Sequence, residues 1–229
     1  MHETERIKDR TEGGAKLAER LGAYARRPDV IVLALPRGGV PVGFAIAQAL
    51  DVPLDVLLVR KLGVPGNEEF AMGAITSDGV YVLQSDVLRN FDISAKIVEA
   101  TAQRKLKELA QREKLYRADR PALQLEGRTA IIVDDGLATG STMLAAIKAV
   151  RKAGAARLVI AVPVAAPDAI RQIESQVDET IFLMAPEPFY AVGMWYDDFG
   201  QTSDDEVVAF LDKAAKRQAQ IKPGKDISA

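Results

Sequence analysis

Apolar positions along this chain fall into short continuous runs separated by amphipathic stretches, as in folds where buried strands alternate with covering helices. The runs at 30–35 and 54–59 predict two buried parallel strands, the second ending in Arg60 and Lys61. Further strands are predicted at 129–133, 157–162 and 180–184. Over 11–26, Ala15, Leu17, Ala18, Leu21 and Ala25 recur at near-helical spacing and stop before Pro28. Helices are also predicted over 40–50, 94–117, 143–153, 166–176 and 206–220. The 94–117 helix is highly charged, with Ile97, Thr101, Leu106, Leu109 and Leu115 on its apolar positions. Residues 62–67 read as a Gly/Pro loop, and strands at 70–75 and 80–83 flank Thr76-Ser77-Asp78-Gly79, a hairpin signal. Residues 186–205 form a long aromatic loop, and the tail from Ile221 is expected to fray. Strands alternating with helices predict an α/β fold with a doubly wound, mostly parallel sheet.

Composition narrows the class. A chain of 229 residues is long enough for one large α/β domain, here taken over 1–229. It is 48% hydrophobic and 27% charged with a net charge of −2, so no global basic field argues for nucleic acid. The absence of cysteine excludes disulfides, thiolate metal sites and cysteine nucleophiles. The apolar runs are strand-length, short of the ~20 residues of a membrane span. The start has neither a basic nor an apolar leader region, and the lone His2 within it carries no weight. A soluble, cytoplasmic protein with no membrane partner is expected.

In open α/β sheets, ligands bind beyond the carboxyl ends of the strands. Four such ends carry polar or glycine-rich chemistry: Pro36-Arg37-Gly38-Gly39, Arg60-Lys61, Asp134-Asp135 with the loop after it, and the segment 186–198. The carboxylate pair opens the strongest unit. An apolar strand ends in Asp134 and Asp135, then Gly136, Leu137, Ala138, Thr139, Gly140, Ser141 and Thr142 lead into a helix. Backbone amides at a helix N-terminus favour an anion, and the hydroxyls add donors for phosphate oxygens. The loop lacks a Walker lysine and the spaced glycines of a dinucleotide fingerprint. Two adjacent carboxylates could accept hydrogen bonds from vicinal ribose hydroxyls or help hold a divalent cation. An acidic cap on an ordinary turn is the plainer alternative.

The stretch 131–142 resembles the phosphoribosyl pyrophosphate signature of the type I phosphoribosyltransferases. That resemblance implies a magnesium-dependent transfer of 5-phosphoribose from phosphoribosyl pyrophosphate to a nitrogenous base, releasing pyrophosphate. By position, Asp134 and Asp135 would bind the ribose hydroxyls, and Gly136 with residues 138–142 (Ala138, Thr139, Gly140, Ser141, Thr142) would cradle the 5′-phosphate. The segment 34–39 looks like the family's pyrophosphate loop, so Arg37, Gly38 and Gly39 would bind the leaving group, with a cis non-proline peptide at Arg37–Gly38. Arg60 and Lys61 would approach the diphosphate. Asp134, Asp135, Arg37 and Lys61 are the implied catalytic set. The residues after Lys61 would form the flexible catalytic loop, in which Glu68 and Glu69 either stabilise the reaction's cation or bind metal, or are a solvated strand start.

The segment 189–198 resembles the base-binding part of the hypoxanthine-guanine subgroup. It would place Tyr190, with Phe189 as the neighbouring possibility, in the stacking role, and Trp195 in the base site or in hood packing. Asp197 would lie near the metal, so Asp134, Asp135 and Asp197 are the implied magnesium neighbours, through water or ligand oxygens. That subgroup reads its purine with a lysine in the preceding strand, and 180–185 carries none, so the acceptor stays unnamed. The interval 70–120 is unmatched, within an insertion at 62–125 of flexible loop, hairpin and long helix serving as a hood, lid or dimer arm, with 186–205 as the aromatic hood loop. A homodimer is expected. The alternative function is a non-catalytic regulatory protein of the same fold that binds phosphoribosyl pyrophosphate or a nucleotide.

Overall fold

A computed structural model describes residues 6–77, 79, 81–117, 120–121 and 123–221. His2, Asp78, Val80 and the tail beyond Ile221 lie outside the described residues. Five parallel strands form the central sheet: β1 (Val30–Ala34), β2 (Leu54–Val56), β6 (Thr129–Val133), β7 (Arg157–Val164) and β8 (Glu179–Met184). Their spatial order is β2-β1-β6-β7-β8. A second, antiparallel sheet holds β3 (Val59–Val64), β4 (Asn67–Thr76) and β5 (Tyr81–Leu83).

Alternation along β1 and β6 builds a core on each face of the parallel sheet, because successive side chains of a strand point to opposite sides. Val30, Val32, Ala34, Ile131 and Val133 pack with α1 (Arg10–Arg20), α2 (Gly39–Leu50) and α7 (Asp204–Ile221). Ile31, Leu33, Ala130 and Ile132 pack with α5 (Ser141–Lys152) and α6 (Pro167–Ile173). The sheet is therefore doubly wound, as the continuous apolar runs predict.

The chain runs from β1 outward to β2 on one side, and from β6 outward through β7 to β8 on the other. The crevice of such a sheet lies where the winding reverses, outside the carboxyl ends of the two central strands. Those strands are β1 and β6, paired in register from Val30↔Thr129 to Ala34↔Val133. Leu35 N–H donates to Val133 O at 2.8 Å, so the two loops that follow emerge side by side.

The expected single strand at 54–59 is two. β2 ends at Val56, and Leu57 N–H still reaches Ala34 O at 3.0 Å. The chain then crosses to the second sheet as β3. The apolar run continues unbroken through the crossing because Leu57, Leu58 and Val59 are buried on both sides of it, which hides the break from the sequence pattern. The expected Gly/Pro loop at 62–67 is instead the end of β3, a tight turn at Pro65-Gly66 and the start of β4. Proline followed by a glycine at φ +79° fits a type II turn. The hairpin joining β4 and β5 is present, with Ile75 opposite Tyr81.

The first helix is shorter than its pattern: α1 stops at Arg20, and a 3-10 turn covers Gly22–Tyr24. A short helix α3 (Ser85–Asn90), with no counterpart in the sequence pattern, precedes the long α4 (Ala95–Arg117). No helix among the described residues is long and apolar enough to cross a membrane.

Candidate functional site

Two loops meet at the mouth of the β1/β6 crevice. A methyl group placed on Gly38 would lie 1.9 Å from Asp135 Oδ2, and one on Gly39 would lie 2.9 Å from Asp134 Cα. Only bare backbone at 38 and 39 lets the first loop lie against the acidic pair. A cis peptide is present in this loop, but at Pro36–Arg37, one position before the expected Arg37–Gly38.

The acidic pair is tightly organised. Asp135 N–H donates to Asp134 Oδ1 at 2.8 Å. Burial, and then the charge of Asp135, pushes the Asp134 carboxyl well above the ordinary carboxylate range. Asp135 is held from outside: Arg10 donates through Nε at 2.9 Å and lies within 2.8 Å through Nη2, both to Oδ2. The Tyr196 hydroxyl donates to the Asp135 carbonyl at 2.7 Å. Burial, with the Asp135 charge next, raises the Tyr196 phenol above its usual value.

The loop then turns into α5. Gly140 adopts φ +74° at the helix N-cap, a conformation that favours glycine, and no side chain among the described residues caps the helix there. Ala138, Thr139, Ser141 and Thr142 are exposed around this N-terminus, with Thr139 Oγ1 3.4 Å from Ser141 Oγ. The expected cradle residues thus share one helix N-terminus next to the β1/β6 crevice, where the helix dipole favours an anion.

Other residues singled out from the sequence are distributed less simply. Arg37 is half-buried, with Nη1 3.9 Å from Asp204 Oδ1, and Asp204 also accepts from the Tyr116 hydroxyl of α4. Arg60 and Lys61 lie on opposite faces of the second sheet. The Arg60 side shares a face with Leu62 and Val64, which pack toward α4, and burial followed by the Arg112 charge lowers the Arg60 pKa. Lys61 sits opposite Ala74, which lines a cleft with Ser141, Leu144 and Lys148 of α5. Strand alternation thus turns Lys61 toward the helix bearing the cradle and Arg60 away from it. Glu68 pairs with Arg104 of α4 at 3.7 Å, both exposed.

The aromatic segment abuts the acidic loop through Val192, whose Cγ1 would be 2.4 Å from a methyl on Gly136. Tyr190 is 74% exposed, whereas Phe189 packs against the apolar cores. Trp195 packs beside Tyr196, its Nε1 buried with no hydrogen-bond partner among the described residues. Asp197 is exposed and lies 3.7 Å from Arg6. Among the described residues, no group of three or more His, Asp or Glu side chains gathers to hold a metal ion.

Sequence reasoning misses Arg10 and Tyr196. Arg10 lies in a run of charges at 6–10 that reads as solvated surface, 125 positions from its partner. Tyr196 is visible as an aromatic but not as a donor to the Asp135 backbone.

A doubly wound sheet with a glycine backbone turn and an acidic-pair loop at its switch point is the architecture of the type I phosphoribosyltransferases. A model of the phosphoribosyl transferase domain matches residues 3–185, and the chain belongs to that family. Rv0571c of Mycobacterium tuberculosis H37Rv, provisionally named a phosphoribosyl transferase, is 48% identical over 212 residues, covering 93% of this chain and 48% of its own. The chain thus spans about half the length of the curated relatives it matches. The crystal structure of TT1426 from Thermus thermophilus is 42% identical, with a TM-score of 0.82 and coverage of 90% of this chain and 97% of that one. AQ2163 from Aquifex aeolicus, at 15% identity, TM-score 0.50 and coverage of 80% and 78%, shares the fold alone.

Proposed function

We propose that this chain moves 5-phosphoribose from phosphoribosyl pyrophosphate to a ring nitrogen of a planar base and releases pyrophosphate. The observation that carries the reading is the contact of Gly38 and Gly39 with Asp135 and Asp134. One backbone turn and one carboxylate pair then face the same small volume, as a ligand with a diphosphate one bond from a ribose requires. In this reading the cradle at 138–142 takes the 5′-phosphate, the acidic pair accepts from the ribose hydroxyls, and the backbone turn at 36–38 meets the diphosphate. Lys61 adds positive charge from the α5 side of the second sheet, and Arg37 adds it once released from Asp204.

Most of the work is positioning and charge stabilisation, since bond cleavage at C1 needs little covalent help from the protein. The exposed Tyr190 ring offers a stacking face for the acceptor, worth ~1–3 kcal/mol per base in comparable complexes. The magnesium implied by the resemblance finds no protein-only site among the described residues. The acceptor is taken to be a nucleobase.

The test is pyrophosphate release from phosphoribosyl pyrophosphate with a panel of nucleobases, with and without magnesium. Turnover with at least one base, abolished in Asp134→Asn/Asp135→Asn, is expected. No turnover with any base would sink the enzyme reading, and binding of the donor alone would leave a sensing protein of the same fold.

A further inference from the structure

Arg10 opens α1, and a cation at the first turn of a helix opposes the helix dipole. Its charge is therefore not placed there for the helix. Its guanidinium instead joins the acidic pair, the segment at 199–200 and the border of the first loop. Nε and Nη2 bind Asp135 Oδ2 at 2.9 and 2.8 Å, and Nη1 binds the Gly200 carbonyl at 2.6 Å. The plane lies 3.9 Å over the Phe199 ring, which stacks in turn on Tyr196 at 5.0 Å. Nε is also 3.2 Å from the place of a Gly38 methyl, so it borders the first loop. The Arg10 and Asp135 side chains are only 12% and 18% exposed.

We propose that Arg10 is a positioning residue for the ribose half of the site. By occupying Oδ2 it fixes the rotamer of Asp135, so that Oδ1 is the oxygen left for a sugar hydroxyl. By holding Gly200 and Phe199 with the same planar fork, it ties the aromatic hood loop to the acidic pair. The fork matters because one guanidinium makes two directed hydrogen bonds, an ion pair and a ring contact together, which an ammonium cannot reproduce. Arg10 touches no reacting atom in this scheme. The inference rests on the donor-site reading above.

The experiment compares binding of ribose 5-phosphate and of inorganic pyrophosphate to wild type and Arg10→Lys. Lysine keeps the charge and loses the fork. Loss of directed charge-assisted bonds predicts ribose 5-phosphate weakened about tenfold or more, with pyrophosphate within about twofold. Unchanged ribose 5-phosphate binding in Arg10→Lys overturns the proposal, as does equal weakening of both ligands, which a merely structural role would give. A cycle with Asp135→Asn is the second readout: once Asp135 is replaced, Arg10→Lys is expected to cost less than about twofold on ribose 5-phosphate. Full additivity in the cycle also overturns the proposal. Failure of wild type to bind either ligand would instead fell the donor-site reading, and the role of Arg10 with it.

Discussion

Replacing Gly38 by alanine isolates the contact between the two loops. Gly38 sits at φ −60° and ψ −32°, where alanine is at ease. The backbone alone would thus gain about 0.4–1 kcal/mol from a stiffer unfolded chain. The added methyl, however, falls 1.9 Å from Asp135 Oδ2 and 2.5 Å from its Cγ, against an ordinary separation of about 3.5 Å. The carboxylate must retreat and loosen its contacts with Arg10 at 2.9 and 2.8 Å. Overpacking of this kind costs about 1–3 kcal/mol, and a bond to a charged group about 1.5–3 kcal/mol. With partial relaxation, a net loss of about 1–3 kcal/mol is expected, at about 2–4 °C of Tm per kcal/mol for a chain this size.

Gly22→Ala is the matched control. Its methyl meets nothing within 4 Å, so it should be neutral or slightly stabilising. The assay is thermal melting of both variants, followed by titration with phosphoribosyl pyrophosphate. Gly38→Ala should melt several degrees below Gly22→Ala and bind the donor at least tenfold more weakly, given ~1.4 kcal/mol per decade. Equal melting temperatures with unchanged donor binding would refute the close approach of the loops.

Three other outcomes follow from single contacts. Gly140→Ala forces a side chain into φ +74° and should cost about 1–2 kcal/mol while weakening phosphate binding at the α5 N-terminus, read by melting and phosphate titration. Arg117 is buried at the end of α4 with Asp55 Oδ2 at 3.1 Å, so Arg117→Leu strands a carboxylate and should cost about 3–5 kcal/mol in urea unfolding. Burial and the hydrogen bond to Asp204 push Tyr116 up to about 12, above the usual 10.0. The fold favours the neutral phenol, so its contribution is full below about pH 10 and lost as pH rises toward about 12. Unfolding midpoints should fall more steeply over that window in wild type than in Tyr116→Phe.

The parts of this molecule that are legible in its sequence are those written in contiguous residues. β6 stands out at 129–133 because a threonine and four apolar residues end sharply in two carboxylates. The cradle is visible because its glycine, hydroxyls and helix start follow one another along the chain. The route from β2 to β3 is not legible, because a strand leaving one sheet for another stays apolar when both sheets bury it. Arg60 and Lys61 look like one basic pair, yet adjacent strand residues point to opposite faces. Turn chemistry at Pro65-Gly66 gives the same composition as a mobile loop, so a hairpin reads as a lid. Arg10 leaves no local signal, since its meaning lies in partners brought near only by folding.

One measurement addresses the two-part donor site most directly. It is the affinity of the protein for phosphoribosyl pyrophosphate set beside that for ribose 5-phosphate and for pyrophosphate, with each fragment also titrated against the bound donor. If the cradle and acidic pair hold one end and the turn at 36–39 the other, linking the fragments raises their effective concentration. The donor should then bind at least about tenfold more tightly than the better fragment, and both fragments should displace it. A donor no tighter than one fragment, or a fragment that binds without displacing it, would mean that the two loops do not form one site.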